Sequence, residues 1–169
     1  IERHRVTHIL AVPTMLNRLL NHPDFTRTDL SSVTNLSYGA SIMPEALLRR
    51  ALELMPRVRF TQSYGMTELS PSAAYLQPKY HVLEGPNAGR LKSIGQTIHT
   101  AEIRIADEDD NELPRGEVGE IQVRGPMVMK GYWKQPALTA KTLRGGWMHT
   151  GDAAWMDDEG FIYLVDRLK

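Results

Sequence analysis

Between residues 6 and 64 the chain alternates short apolar runs with helical stretches. Val6-Thr7-His8-Ile9-Leu10-Ala11-Val12 is an apolar run closed by Pro13, which predicts a buried strand. The following segment sets Met15, Leu16, Leu19 and Leu20 on one face of a helix. Val33 to Tyr38 reads as a second strand, ended by Gly39. Met43 to Met55 predicts a longer helix, with Pro44 in its first turn and Leu47, Leu48, Ala51, Leu52 and Met55 as its stripe. Arg57 to Gln62 supplies a third strand, and strand–helix–strand–helix–strand is the pattern of a parallel sheet layered with helices. Beyond about residue 90 the period changes to two, in Ala101-Glu102-Ile103-Arg104-Ile105 and Glu120-Ile121-Gln122-Val123-Arg124. Asp107 to Glu112, followed by Pro114 and Gly116, reads as a solvated hairpin tip between them rather than a cation site, for it lacks the Gly and spaced ligands of an EF-hand loop. Trp147–Trp155 and Phe161–Val165 read as further strands, with Trp133, Trp147 and Trp155 filling the core. The fold class expected is α/β: a parallel-sheet α/β layer in residues 1–90, followed by a mostly antiparallel β module in residues 91–169.

Composition narrows the chemistry. The 169 residues amount to one domain or slightly more. Lys and Arg total 20 against 20 for Asp and Glu, which argues against an electrostatic nucleic-acid binder. There is no cysteine, so disulfides, thiolate zinc sites and thiol nucleophiles are excluded. No apolar run reaches the ~20 residues of a transmembrane helix, and no signal-peptide core opens the chain. A soluble, cytoplasmic domain is therefore expected. A start at Ile1 and an end just after an apolar run are further expected of a piece of a longer protein.

The third strand runs into Gln62-Ser63-Tyr64-Gly65-Met66-Thr67-Glu68. Loops at the carboxyl ends of parallel strands are where open α/β sheets bind ligands. Tyr64 offers a flat face, Gly65 a close backbone approach, Thr67 a hydroxyl and an amide, and Glu68 a hard oxygen ligand. That set suits a nucleotide, its phosphates and Mg²⁺; a tight turn around a core tyrosine would read the same.

Residues 62–68 resemble the adenine-and-phosphate motif of the adenylate-forming superfamily, which includes acyl-CoA synthetases, luciferases and peptide-synthetase adenylation domains. Three further segments match in the same order. Gly116-Glu117-Val118-Gly119-Glu120-Ile121, with Gly125-Pro126 and Gly131-Tyr132-Trp133, resembles the family's structural β motif. Gly146-Trp147-Met148-His149-Thr150-Gly151-Asp152 resembles its ribose motif, and Asp166-Arg167-Leu168-Lys169 its inter-domain hinge. The hinge is similar to that of fatty- and aryl-CoA ligases rather than the Gly-Arg-x-Asp of peptide synthetases; a luciferase-like oxidase shares it.

The resemblance implies roles. Asp152 would accept hydrogen bonds from the ribose diol, and Arg167 would contact ribose or phosphates. Thr67 would hold the adenylate phosphate, Glu68 would help bind Mg²⁺, and both count as catalytic. Gly39, Ala40 and Ser41 would line the adenine and acyl pocket with Gln62, Ser63, Tyr64 and Gly65, although Tyr38 and Ser41 stand where many relatives carry Gly and Pro. Lys169 would be the hinge pivot. Structural alternatives are a turn or cap for Asp152, an ion pair for Arg167 and a solvated lysine for Lys169; His149 is expected to pack or hydrogen-bond locally, and Tyr163 to be a core aromatic rather than a nucleotide contact. The activity implied is that of an acyl-CoA synthetase: a carboxylic acid and ATP form an acyl-adenylate, and the acyl group passes to CoA. A nucleotide-binding module without catalysis of its own is the other class.

The family's Ser/Thr/Gly-rich phosphate loop and the lysine of its small C-terminal domain have no match in these residues, so two sources of phosphate-charge stabilisation are missing. The purified 169-residue chain is expected not to exchange labelled pyrophosphate into ATP with any acid. Robust exchange would show that these residues suffice for adenylation.

Overall fold

The computed structural model describes residues 1–167, so the expected pivot Lys169 and its neighbour Leu168 lie outside the described residues. The chain forms two compact units, Ile1–Ser63 with Leu76–Lys92, and Tyr64–Tyr75 with Ser93 onward. The segment carrying Tyr64, Gly65, Thr67 and Glu68 thus belongs to the second unit.

In the first unit, β1 (His8–Ala11), β2 (Asn35–Gly39) and β3 (Arg59–Tyr64) lie parallel in that order. α1 (Pro13–Leu20) and α2 (Glu45–Leu54) supply the crossovers. Pro13 occupies the first turn of α1, where its missing N–H costs nothing. Pro44 immediately precedes α2 in extended conformation rather than entering the first turn. Leu36, Tyr38 and Phe60 pack with Leu16 and Leu20 of α1 and with Leu48 and Ala51 of α2. The other sheet face carries Leu10, Ser37 and Thr61, aligned across the three strands. The expectation of a buried first strand is therefore corrected: Leu10 is 76% exposed, because β1 alternates sides and only Ala11 is buried. Of the α1 stripe, Leu16 and Leu20 are buried but Met15 is exposed.

A polar network sits in this core. The Tyr38 hydroxyl lies 2.9 Å from His81 Nε2, and His81 Nδ1 lies 3.0 Å from the Gln77 carbonyl. A carbonyl only accepts, so Nδ1 carries the proton and Tyr38 donates to Nε2. Gln62, also buried, lies 3.4 Å from the same hydroxyl.

In the second unit, β4 (Ala74–Leu76) pairs antiparallel through Ala74 and Tyr75 with β5 (Gln96–Thr97). A curled antiparallel sheet runs in the order β10 (Ile162–Arg167), β9 (Trp147–Met156), β7 (Gly119–Arg124), β6 (Glu102–Ala106). The short α3 (Pro136–Thr142), which apolar periodicity does not reveal, leads into β8 (Leu143–Arg144), paired to the start of β9. The core is aliphatic: Ile105, Ile121, Val123, Met148, Ala154, Met156 and Ile162 with Tyr64.

The tryptophans do not fill it. Trp133 is 85% exposed. Trp147 has the guanidinium groups of Arg104 and Arg124 against its ring, 4.4 and 4.6 Å from its centre, and Trp155 stacks on Tyr163 at 4.2 Å. Outside the aliphatic core, these rings are held by cations or by each other. Asp110, expected in a solvated tip, is held by Arg144 and Gln122 at 3.1 and 2.7 Å.

Burial lowers the His81 imidazole from 6.5 to about 4. Its neutral form is favoured in the folded chain, so the unfolded chain takes up the proton first as pH falls. The stabilisation is complete above about pH 6.5 and is lost progressively towards pH 4, amounting to about 3 kcal/mol in full. Urea unfolding at pH 7.5, 5.5 and 4.5 should therefore show wild type losing about 2–3 kcal/mol more than His81→Gln across that window. Parallel pH profiles for the two would refute this.

Candidate nucleotide site

In the first unit, Gly39 ends β2 opposite Ser63 of β3, and the next residue, Ala40, takes the left-handed conformation at φ 66°. Ala40 and Ser41 are exposed on the turn that follows. Gln62 turns its side chain into the Tyr38–His81 network, so what it presents beside Ser63 is its backbone.

In the second unit, the chain leaves β3 at Tyr64 and folds back sharply. The Ala73 amide donates to the Tyr64 carbonyl at 2.8 Å. Gly65 faces this return so closely that a Cβ there would lie 1.9 Å from the Pro71 carbonyl oxygen. Thr67 opens a single 3₁₀ turn, Thr67–Leu69, and its side chain is exposed. Glu68 is half-buried and anchored twice. Its carbonyl accepts from the Met129 amide at 2.8 Å, and its Oε1 accepts from the Tyr132 hydroxyl at 2.7 Å. Tyr132 was not singled out from the sequence; its Gly-Tyr-Trp segment was legible as a motif, but its partner was not. The hydrogen bond to Glu68 is the main reason the Tyr132 phenol is raised above its ordinary range.

Asp152 sits in an irregularity of β9. Glu120 pairs with Ala153 and Gln122 with His149, so three residues of β9, Thr150, Gly151 and Asp152, face the single Ile121 of β7. Such a bulge breaks the ladder and frees backbone groups inside a sheet. Thr150 Oγ1 donates to the Ile121 carbonyl at 2.8 Å and accepts from the Asp152 amide at 3.2 Å. The Gly151 amide donates to Glu120 Oε1 at 2.9 Å. Gly151 adopts φ 73°, which a residue with a Cβ rarely tolerates.

The extended bulge directs the Asp152 carboxylate to Tyr64, whose hydroxyl donates to Oδ2 at 2.8 Å. Tyr64 and Asp152, expected from separate motifs, thus meet within the second unit. Arg167 pairs directly opposite Asp152 across β10 and β9, aided by a register shift between Leu164 and Asp166. Thr67 and Glu68 stand on the same return loop as Tyr64. Chemically, the second unit gathers a phenol ring, a carboxylate that accepts from that phenol, an exposed hydroxyl and a second anchored carboxylate. A carboxylate has about four acceptor positions, so the Tyr64 bond does not exhaust Asp152.

The model of the AMP-binding enzyme family matches residues 1–133, and the chain belongs to that family. It is 41% identical over its full length to a feruloyl-CoA synthase from an Amycolatopsis species, of which it covers 33%. To a medium/long-chain-fatty-acid–CoA ligase of Mycobacterium tuberculosis it is 40% identical, again over its whole length, covering 28% of that protein. Among solved structures it is similar to the amide bond synthetase McbA of Marinactinospora thermotolerans, with a TM-score of 0.90, 39% identity and coverage of 100% of this chain and 33% of that one. The chain therefore spans about a third of the length of these relatives. Among the described residues, no helix is long and apolar enough to cross a membrane.

Because the obstacle at Gly65 is backbone, Gly65→Ala must displace the 71–72 segment. It should destabilise the chain by roughly 1–3 kcal/mol, the usual scale of overpacking. Urea denaturation checks this, and an unchanged midpoint would mean the return is looser than its geometry.

Proposed function

We propose that this chain is the nucleotide-contacting part of an AMP-forming acid–thiol ligase, which joins a carboxylic acid to ATP as an acyl-adenylate, releases pyrophosphate, and passes the acyl group to CoA. The observation that carries this reading is the hydrogen bond from Tyr64 to Asp152, 88 residues apart, in a chain of the AMP-binding family. The names of the relatives, a feruloyl-CoA synthase and a fatty-acid–CoA ligase, support a carboxylic acid and CoA as co-substrates.

In this assignment the Tyr64 hydroxyl steers the Asp152 carboxylate, which accepts hydrogen bonds from the ribose diol, while the ring faces the adenine. Gly39, Ala40, Ser41, Gln62, Ser63 and Gly65 line the adenine and acyl pocket, chiefly through backbone. Thr67 holds the adenylate phosphate by its hydroxyl, and Arg167 supplies a cation to the ribose or phosphates. Glu68 is the residue that would hold Mg²⁺. A protein usually offers Mg²⁺ one or two carboxylates and leaves the remainder to phosphates and water. A single half-buried carboxylate, steadied by Tyr132, fits that demand, and among the described residues no group of three or more His, Cys, Asp or Glu forms a protein-only cage. When bound, Mg²⁺ supplies neutralisation of phosphate charge. Residues 1–90 are the α/β subdomain and residues 91–169 the β-rich subdomain, Lys169 is the pivot for a small domain beyond, and the enzyme works in the cytoplasm beside its ATP and CoA.

The likeness to an amide bond synthetase favours a second reading, in which the activated acyl group goes to an amine instead. Incubating the longer enzyme with ATP, an acid panel, and either CoA or amines separates the two by product. Asp152→Ala in that enzyme should weaken ATP binding by about 1.5–3 kcal/mol, the scale of hydrogen bonds to a charged group. An unchanged KM for ATP would refute the ribose assignment.

A further inference from the structure

We infer that Glu120 is a positioning residue for nucleotide binding: its carboxylate clamps the Gly151 amide and thereby holds Asp152 in its bulge. The inference rests on the reading of Asp152 as the ribose acceptor. Glu120 divides its two oxygens between two tasks. Oε1 takes the Gly151 N–H at 2.9 Å, and Oε2 lies 2.7 Å from His149 Nδ1. The His149 side chain is only 5% exposed, so the pair is shielded from water on the imidazole side.

The orientation of this pair is set by its neighbours. Arg104 Nε donates to Gln122 Oε1 at 2.9 Å, which turns the Gln122 amide nitrogen to Asp110 Oδ1 at 2.7 Å. Gln122 Nε2 also lies 3.3 Å from His149 Nδ1. Two donors cannot share one contact, and the shorter approach to a carboxylate requires the proton on Nδ1, so that proton goes to Glu120. His149 Nε2 has no hydrogen-bond partner among the described residues and lies 3.5 Å from Asp110 Oδ1. Asp110 is in turn fixed by Arg144 at 3.1 Å. Side chains of β6, β7 and β8 therefore surround His149 and leave its Nδ1 proton to one carboxylate, and that carboxylate ends on the backbone of the bulge.

Removing the clamp leaves the Gly151 N–H without its acceptor in a half-buried strand. The left-handed turn at Gly151 then loses the contact that selects it, and the next residue is Asp152. The side chains of Glu120 and Asp152 need not touch for the effect to pass. It travels through one peptide unit.

Hydrogen exchange of the ¹⁵N-labelled chain and ATP kinetics of the longer enzyme test this together. Glu120→Ala should speed exchange of the Gly151 amide at least tenfold while leaving that of Val123, in the same strand as residue 120, within threefold. It should raise the KM for ATP at least tenfold with kcat within threefold. Glu120→Gln, which keeps an acceptor oxygen, should restore both to within threefold of wild type. If Glu120→Ala does not fold, His149→Asn, which releases the second oxygen, takes its place and should raise the KM for ATP at least threefold. Unchanged Gly151 exchange overturns the clamp. An unchanged KM in the Glu120 or His149 variant, where Asp152→Ala does raise it, overturns the positioning role alone, as does a failure of Glu120→Gln to rescue. An unaffected KM in Asp152→Ala overturns the nucleotide reading and this inference with it.

Discussion

Backbone N–H and C=O groups inside a sheet have to be paired, and the arrangement around Asp152 follows from that demand. Opposing three residues of β9 to one of β7 takes those three out of the β7–β9 ladder. A short polar side chain at Thr150 and a carboxylate at Glu120 replace the missing strand partners, and a glycine supplies the turn. Only with these in place does the strand resume its pairing at Ala153 while Asp152 points to Tyr64. A regular strand would alternate Thr150, Gly151 and Asp152 across the sheet, and the carboxylate would be aimed by the pleat instead of by the bulge.

The same principle orders the other polar groups. His81, Tyr38 and Gln62 are buried, and each finds a partner in the others or in the Gln77 carbonyl. Glu68 is steadied by Tyr132 and by the Met129 amide, which ties the loop after β7 to the loop after β3. The large indoles, by contrast, stay at the margin, where Trp147 rests against two guanidiniums and Trp155 against a phenol ring. Polar side chains hold the shape of the loops, and small aliphatic ones fill the space beneath the sheet.

Much of this was legible in the chain itself. Period-two and helical patterns marked most of the strands and both long helices, because burying one face imposes those periods whatever the neighbours are. The motif residues Tyr64, Thr67, Glu68 and Asp152 were legible as types: an aromatic, a hydroxyl and two carboxylates beside glycines that permit sharp turns. Three-dimensional arrangement decided the rest. The exposure of Leu10 and Trp133 depends on what lies opposite, and that is not written in a residue's own neighbours along the chain. Asp110 reads as one acid in a solvated acidic run until Arg144 and Gln122 are brought to it. Glu120 reads as the outward half of an alternating strand, and it becomes the anchor of Gly151 only because a bulge 31 residues later leaves an amide in need of an acceptor. Periodicity is a local consequence of burial and survives in the sequence; hydrogen-bond partnership across strands is a property of register, which only the folded sheet defines.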